Sequence, residues 1–518
     1  MAGLVKTPDL FSGRIFDTIV VGGGSAGAVI SARMTESTAN EVLLLEAGPD
    51  YPQPEHLPGD LADGRWNSMK RHDWGYRHRP TTHQLRFPLP RGRVVGGSSA
   101  VNTCIALRGQ PGDFDEWAAL GLDEWSWEHC LPAFKRLETD QDFSDEWHGR
   151  DGPLPIRRHP GNELSIWQGA FLEACAELGY PSCEDSNRPG SWGAGPHAMN
   201  RINGRRISAA EAWLTAEVRA RENLTILSET EALRVLWFNR QAAGVEVLHG
   251  GRLQQLRARQ VVLCCGSIGT PTVLLRSGVG PVRQLERLGI DPVMDLPGVG
   301  ARLLDHPGTA FFMLPRWGMS DRKAPLIQTV LRYSSETSAV GSDVQLQPGS
   351  SVPLPFLHLP LVSMMAVVGK PVGSGQIHWP SLRRGAKPVI ESALLEDAAD
   401  RAVAVAALGR AFELSQSKPM QQVAIPLYPG PRVLSDSTRL SQWIRKVCDS
   451  GYHPCGTVPM GPDTDPGAAV DGRGRVRGVT GLVVADASIM PTIPSSNTNL
   501  PTLMIGERFG AWLRDQAL

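Results

Sequence analysis

Asp17-Thr18-Ile19-Val20-Val21-Gly22-Gly23-Gly24-Ser25-Ala26-Gly27, continuing as a helical stretch to about Met34, is the segment on which the fold turns. Gly22, Gly24 and Gly27 satisfy G-x-G-x-x-G, a weak signal alone in a chain with 55 glycines. Here it follows a strand, Asp17 to Val21, and opens a helix, which is the confirming context. A second strand, Glu41 to Glu46, closes on an acidic residue 19 positions after Gly27. In such a unit Gly22 permits the tight turn, Gly24 lets the backbone approach a pyrophosphate, and Gly27 allows close helix–strand packing. Unpaired N–H groups at the helix start face the phosphates. A carboxylate at Glu46 accepts hydrogen bonds from ribose hydroxyls and repels a 2′-phosphate. The spacing predicts an α/β, Rossmann-like dinucleotide-binding domain and leaves NAD and FAD open.

Outward from this unit, further strands are expected at Gln260 to Cys265, leading into the turn and helix of GSIGTPTVLLRSGVG, and at Gly481 to Asp486. The last helix is expected to begin around Pro501. Residues 50–93, rich in Pro, His and Arg without periodicity, read as long surface loops. The stretch from about Phe311 to Ser450 has a different texture, with runs such as DVQLQ and LVSMMAVVG and a helical segment around Asp397 to Gln416. It reads as a second domain inserted into the first. The expected division is 14–155, 216–310 and 451–518 for the dinucleotide-binding domain, and 156–215 and 311–450 for the substrate-binding domain.

Composition narrows the function. The 518 residues carry 52 Lys and Arg against 53 Asp and Glu, so no global basic field holds nucleic acid. No stretch reaches the ~18 consecutive apolar residues of a membrane span, and MAGLVKTPDLFSGRIFD lacks the charged start and apolar core of a signal peptide. Eight cysteines are too sparse for a disulfide framework. These features lead to the expectation of a cytoplasmic protein with a small-molecule substrate.

The tie between NAD and FAD is broken further along. Gly92-Arg93-Val94-Val95-Gly96-Gly97-Ser98-Ser99-Ala100-Val101-Asn102 resembles the first signature of the glucose–methanol–choline (GMC) flavoprotein oxidoreductases, and residues 266–280 resemble the second. Tyr452-His453-Pro454-Cys455-Gly456-Thr457 and VADASIMPTIPSSNTNLPT at 484–502 resemble the part of that family that holds the active site. Smaller matches, including Asp113 to Trp117, Ser208 to Ala210 and Leu304-Asp305-His306, lie between them in order. Within the family the carboxyl end is most similar to bacterial 5-hydroxymethylfurfural oxidase-like alcohol oxidases, with choline-oxidising members more distant.

The resemblance implies FAD, a Rossmann-like FAD-binding domain, and an inserted α+β substrate domain built on an antiparallel sheet. Family members that bond the flavin covalently do so through a histidine immediately before the asparagine of the first signature. That position is Val101 here, so the FAD is expected to be noncovalent. By the same resemblance Ser25 and Ala26 lie at the pyrophosphate and Glu46 at the adenosine ribose, and Gly22, Gly24, Gly27 and Ala47 belong to the cofactor-binding set. Val95, Ser98, Asn102 and Ile105 line the isoalloxazine, and Arg93 and Gly97 are also expected to bind the cofactor. Ala232 stands where a backbone meets adenine, and Asp486 and Ala487 match a late pyrophosphate and ribityl contact. Asn497 and Thr498 begin the final helix, whose positive end favours negative charge on the reduced flavin.

The resemblance also picks the catalytic residues. His453 stands where the family keeps its general base, and an imidazole with an ordinary pKa near 6.5 suits removal of an alcohol proton at neutral pH. Asn497 occupies the second position, where it cannot titrate and would orient the substrate oxygen. His306 reads as a structural loop histidine. Cys448, His453 and Cys455 match no common zinc spacing, so no metal is expected. The implied activity is oxidation of a primary aryl, furanic or allylic alcohol, with dioxygen reduced to hydrogen peroxide. A dehydrogenase using a quinone or other acceptor is the alternative, and a flavin-containing hydroxynitrile lyase a further one.

Overall fold

The structure, a computed structural model, describes residues 11, 13–68, 71–321, 323–353, 358–359 and 361–516. Residues 1–10, which carry most of the expectation about a leader, lie outside these. Ile15–Val21 pairs in parallel with Val42–Leu45 on one side and Arg252–Leu263 on the other. Leu224–Leu227 continues the sheet beyond Val42–Leu45, and Leu482–Val484 pairs with the end of Arg252–Leu263, again in parallel. Phe16, Ile19, Val20 and the whole of Val42–Leu45 are buried, as parallel strands covered on both faces require. The strands end together at Val21, Leu45, Leu263 and Val484, so one edge of the sheet gathers Gly22, Glu46, Cys264 and Ala485. The first half of Arg252–Leu263 turns away into an antiparallel meander with Gln241–His249 and Thr230–Phe238.

Ser25–Met34 leaves that edge and is covered by the last helix, Asn499–Arg514. Small residues let the two backbones approach: a side chain on Gly506 would meet Ala26, and one on Gly510 would meet Arg33. Buried Glu507 pairs with Arg33 across the contact. Both helices start at the same edge of the sheet, where Ser25 Oγ donates to Asn499 Oδ1 at 2.8 Å.

A second core forms around an antiparallel sheet in the order Ala424–Tyr428, Pro307–Pro315, Val362–Val368, Val344–Gly349, Thr329–Tyr333, Gly193–Pro196. Helices Ile166–Glu177 and Ala398–Ser415 share residues with this core. Ala398–Ser415 is capped by Asp397, whose side chain accepts from the Ala399 N–H. Strand alternation sorts the two faces. Val344, Leu346, Met364, Ala366 and Val368 pack into the second core. The other face carries Gln345 opposite Val367 and Gln347 opposite Met365.

Two features depart from the sequence expectations. Residues 50–93 are not loops throughout, since Tyr76–Arg79 and Phe87–Leu89 pair with each other and, through Val389–Glu391, with Gln376–His378. Tyr76–Arg79 and Phe87–Leu89 pair locally, while Val389–Glu391, on the other side of Tyr76–Arg79, lies some 300 residues away. Ile377, Trp379 and Ile390 join the first core, as do Ala198, Ala209 and Ala212–Leu214. We propose that 377–390 and 198–214 be drawn with the dinucleotide-binding domain, and the rest of the division kept. Among the described residues no helix is long and apolar enough to cross a membrane.

Candidate active site

A cavity of about 630 Å³ opens at the gathered strand ends and runs between the two cores. At one end lie Glu46, Ala47 and Ala232, and at the other His453, Asn497 and the polar face of the second sheet. Gly22, with φ +102°, makes the turn out of Ile15–Val21, a backbone conformation that side-chain-bearing residues rarely adopt. A Cβ on Gly27 would sit 1.9 Å from the Gly22 carbonyl oxygen, so the helix seats on its own turn only because that atom is missing. Gly24 is different, its nearest neighbour for a Cβ being Gly97 at 3.7 Å. Neither Ser25–Met34 nor Asn499–Arg514 has a side-chain cap, which leaves the first N–H groups of two helices free beside one cavity.

The carboxylate of Glu46 is fixed by the loop it serves. Oε2 accepts from the Gly23 N–H at 3.0 Å and Oε1 from the Gly48 N–H at 2.8 Å. Burial lifts its pKa to about 7, against the lowering effect of those amides and of Arg93. Asp486, on the far side, is committed within the protein. Its Oδ2 accepts from the Gly266 N–H and Thr270 Oγ1, at 2.8 and 2.6 Å, and its Oδ1 from the Ser488 N–H at 2.8 Å.

His453 is aimed by its neighbours. Tyr452 is held in the left-handed region at φ +64°, a strained conformation for a non-glycine residue. Its N–H donates to Ser450 Oγ at 2.7 Å and its carbonyl accepts from Arg91 at 2.7 Å. The His453 N–H donates to Asp305 Oδ1 at 2.9 Å, and Ser450 Oγ donates to the other Asp305 oxygen. Across the site, Asn497 Nδ2 stands 3.0 Å from His453 Nε2. The segment leading to Asn497 is pinned along its length. Asp113 accepts from both the N–H and Oγ of Ser495, Lys370 donates to the Ile493 carbonyl, and Gln345 donates to the Ser495 carbonyl. Asn497 Oδ1 is buried without a hydrogen-bond partner. Burial, with His306 and Arg91 adding, lowers the His453 pKa well below the ordinary histidine value.

Of the residues expected at the site, Gly22, Gly24, Ser25, Ala26, Glu46, Ala47, Arg93, Gly97, Ser98, Asn102, Ile105, Ala232, His453, Asp486, Ala487, Asn497 and Thr498 line this one cavity. Gly27 and Val95 do not. Val95 packs into the first core, and its N–H is spent on the Pro49 carbonyl. His306, read from sequence as a loop histidine, is buried beneath His453, with the two Nδ1 atoms 2.9 Å apart. Its place in the Leu304-Asp305-His306 match is the one sequence signal that marked it. Gln345, Gln347, Met365, Leu326 and Ile327 also line the cavity and carry no motif at all.

Family models for GMC oxidoreductases match residues 16–308 and 371–506. The chain belongs to the GMC oxidoreductases. It is similar to 5-(hydroxymethyl)furfural oxidase of Methylovorus sp. (strain MP688), with 35% identity over 97% of this chain and 99% of that protein. It is also 34% identical to an oxygen-dependent choline dehydrogenase of Sinorhizobium fredii, covering 95% and 94% of the two chains. Among solved structures, pyridoxine 4-oxidase from Mesorbium loti superposes with a TM-score of 0.89 at 30% identity, over 96% of this chain and 98% of the other. As a GMC oxidoreductase the protein is an FAD flavoprotein acting on CH–OH groups. The cavity fits that cofactor: two uncapped helix starts for a pyrophosphate, a buried carboxylate at Glu46 for a ribose, and an orphaned buried oxygen on Asn497.

Proposed function

We propose that this GMC oxidoreductase oxidises an uncharged primary alcohol whose carbinol carbon is attached to an aryl, furan or alkene group. The observation that carries the reading is the His453 Nε2–Asn497 Nδ2 pair, 3.0 Å apart, facing the cavity. An alcohol oxygen seated beside both nitrogens gives its proton to Nε2 and accepts from the amide, which turns its N–H from Nε2 to the oxygen. The oxygen is thereby fixed while a hydride leaves its carbon. Bound FAD would supply the hydride acceptor at this site, with dioxygen as the final oxidant and hydrogen peroxide as the co-product. Departure of hydride leaves positive character on the carbon, which a conjugated ring or alkene spreads.

The sheet face beside the pair supports an uncharged substrate. Gln345, Gln347, Met365 and Val367 line it, with Leu326 and Ile327, and none of the six carries a charge. A cationic alcohol would give up its hydration there with no carboxylate to replace it, whereas a flat ring gains contact with Met365 and the aliphatic side chains. This favours the chemistry named for the furfural oxidase relative over that named for the choline dehydrogenase. The test is anaerobic bleaching of the holoenzyme by 5-hydroxymethylfurfural, benzyl alcohol, cinnamyl alcohol, ethanol and choline, then a peroxide assay in air. The first three should bleach fastest; preferential bleaching by choline would overturn the substrate class. Bleaching without peroxide would assign a different electron acceptor.

Two expectations concern the cofactor. Val101 lines the cavity and has no nucleophile, so acid precipitation should leave all the flavin in the supernatant as FAD. Colour retained in the denatured pellet would contradict noncovalent binding. Ribose hydroxyls donating to Glu46 favour its ionised form, while in the protein alone its pKa is about 7. FAD binding then releases a proton at acid pH, so affinity for the apoprotein should fall as pH drops through 7, by up to ~10-fold per unit for one linked proton. In Glu46→Gln that dependence should vanish, which titrations at pH 6, 7 and 8 would detect.

A further inference from the structure

We propose that His306 is a positioning residue that fixes the tautomer of His453, so that the nitrogen facing the cavity is the unprotonated one. This rests on the reading of His453 as the base and adds the reason it is ready to act. The chain of contacts has one polarity. His306 Nε2 lies 2.9 Å from the Pro494 carbonyl oxygen, which can only accept, so the proton of a neutral His306 sits on Nε2. Its Nδ1 is then a bare lone pair. His453 Nδ1, 2.9 Å away, must donate to it, and a neutral His453 with its proton on Nδ1 has Nε2 bare. Asn497 Nδ2 donates to that same Nε2. No other assignment of protons to two neutral rings satisfies all three contacts.

The surroundings keep both rings neutral. His306 is 1% exposed, and burial drops its pKa to about 4, with Lys370 adding to the lowering and the Pro494 and Gly369 backbone opposing it. Arg91 acts in the same direction on His453. Asp305, the carboxylate packed against the pair, is spent on the His453 and His306 N–H groups and on Ser450, so it does not compete for the imidazole proton. The gap between the rings is kept by Gly451. A Cβ there would lie 3.1 Å from His453 Nδ1 and 3.2 Å from His306 Cβ, and the Gly451 N–H ties the loop to the His306 carbonyl at 2.8 Å. When Nε2 takes the alcohol proton, the charged ring still donates from Nδ1 to His306, so the contact is kept through proton transfer.

The experiment compares His306→Leu, which removes the acceptor at similar size, with His306→Asn, whose Oδ1 can accept from His453 Nδ1. The Leu variant should bleach with alcohol at least ~10-fold more slowly, with FAD retained and KM little changed, and the Asn variant should recover most of that loss. An unimpaired Leu variant, or equal loss in both, would overturn the proposal. A direct reading avoids dependence on either variant folding. In wild-type holoenzyme labelled with 15N-histidine and assigned against His453→Gln, His453 should show a protonated Nδ1 and a bare Nε2. A proton on Nε2 would overturn the proposal whatever the kinetics. That spectrum does not depend on His453 being the base, which is tested separately by the rate of His453→Ala.

Discussion

His453→Ala slows anaerobic bleaching by alcohol ~10²–10⁴-fold while FAD stays bound, the loss typical of removing a positioned general base. The defect belongs to the half-reaction in which the alcohol loses its proton, so reoxidation of chemically reduced enzyme by air is the control step. Asn497→Ala removes a hydrogen bond to the same oxygen and costs less, on the order of 1–3 kcal/mol. Because both groups act on one oxygen in one transition state, the double variant loses less than the sum. The pH profile carries the sign of the shift. A base must be neutral to accept, and the His453 pKa is lowered by burial. The bleaching rate should therefore stay level as pH falls through 6.5 and decline only below it. A His453→Ala enzyme that bleaches at the wild-type rate, or an inflection at pH 6.5 to 7 in the wild type, would move the base elsewhere.

The first domain was legible because its residues repeat a local grammar. Strand, glycine turn and helix follow one another within 20 residues at Ile15–Met34, and the next strand, Val42–Leu45, runs into the acidic Glu46. The same holds for Ala398–Ser415, whose cap at Asp397 is written beside the helix it starts. What sequence could not show is made by distant pairing. Tyr76–Arg79 joins its four-stranded sheet through Val389–Glu391, some 300 residues away. Gln345 and Gln347 look like polar residues on any half-exposed strand, yet both are buried, Gln345 donating to the Ser495 carbonyl and Gln347 to Gln345. His306 shows the limit most sharply. Its sequence neighbours, Asp305 and Pro307, suggest a loop, and its role depends on a contact with a residue 147 positions later. Val95 shows the converse: motif position points to the ring side, while its side chain packs into the first core.

Gly27→Ala and Gly24→Ala, three residues apart in one motif, should fail in different ways. At Gly27 the added methyl would stand 1.9 Å from the Gly22 carbonyl oxygen and 3.3 Å from Cys264 Cβ. Both neighbours are anchored, Gly22 by its N–H to the Leu45 carbonyl and Cys264 by its N–H to the Val21 carbonyl, so neither can move without disturbing the central strands. The helix must shift instead, at the ~1–3 kcal/mol or more that overpacking costs. The apoprotein should melt several degrees lower, and FAD affinity should drop with it because the displaced helix carries the N–H groups toward the pyrophosphate. At Gly24 the backbone is already in an ordinary extended conformation, φ −78°, and a methyl meets nothing closer than 3.7 Å. Apoprotein stability should therefore stay within ~1 kcal/mol, the spread of residue preferences at a helix start. With the pyrophosphate at this turn, as we propose, that methyl enters its space, so FAD affinity alone should fall, by ~10-fold or more. Melting curves of the two apoproteins and FAD titrations separate the cases. Equal destabilisation of both apoproteins, or unaltered FAD affinity in Gly24→Ala, would show that the cofactor's phosphates lie away from this turn.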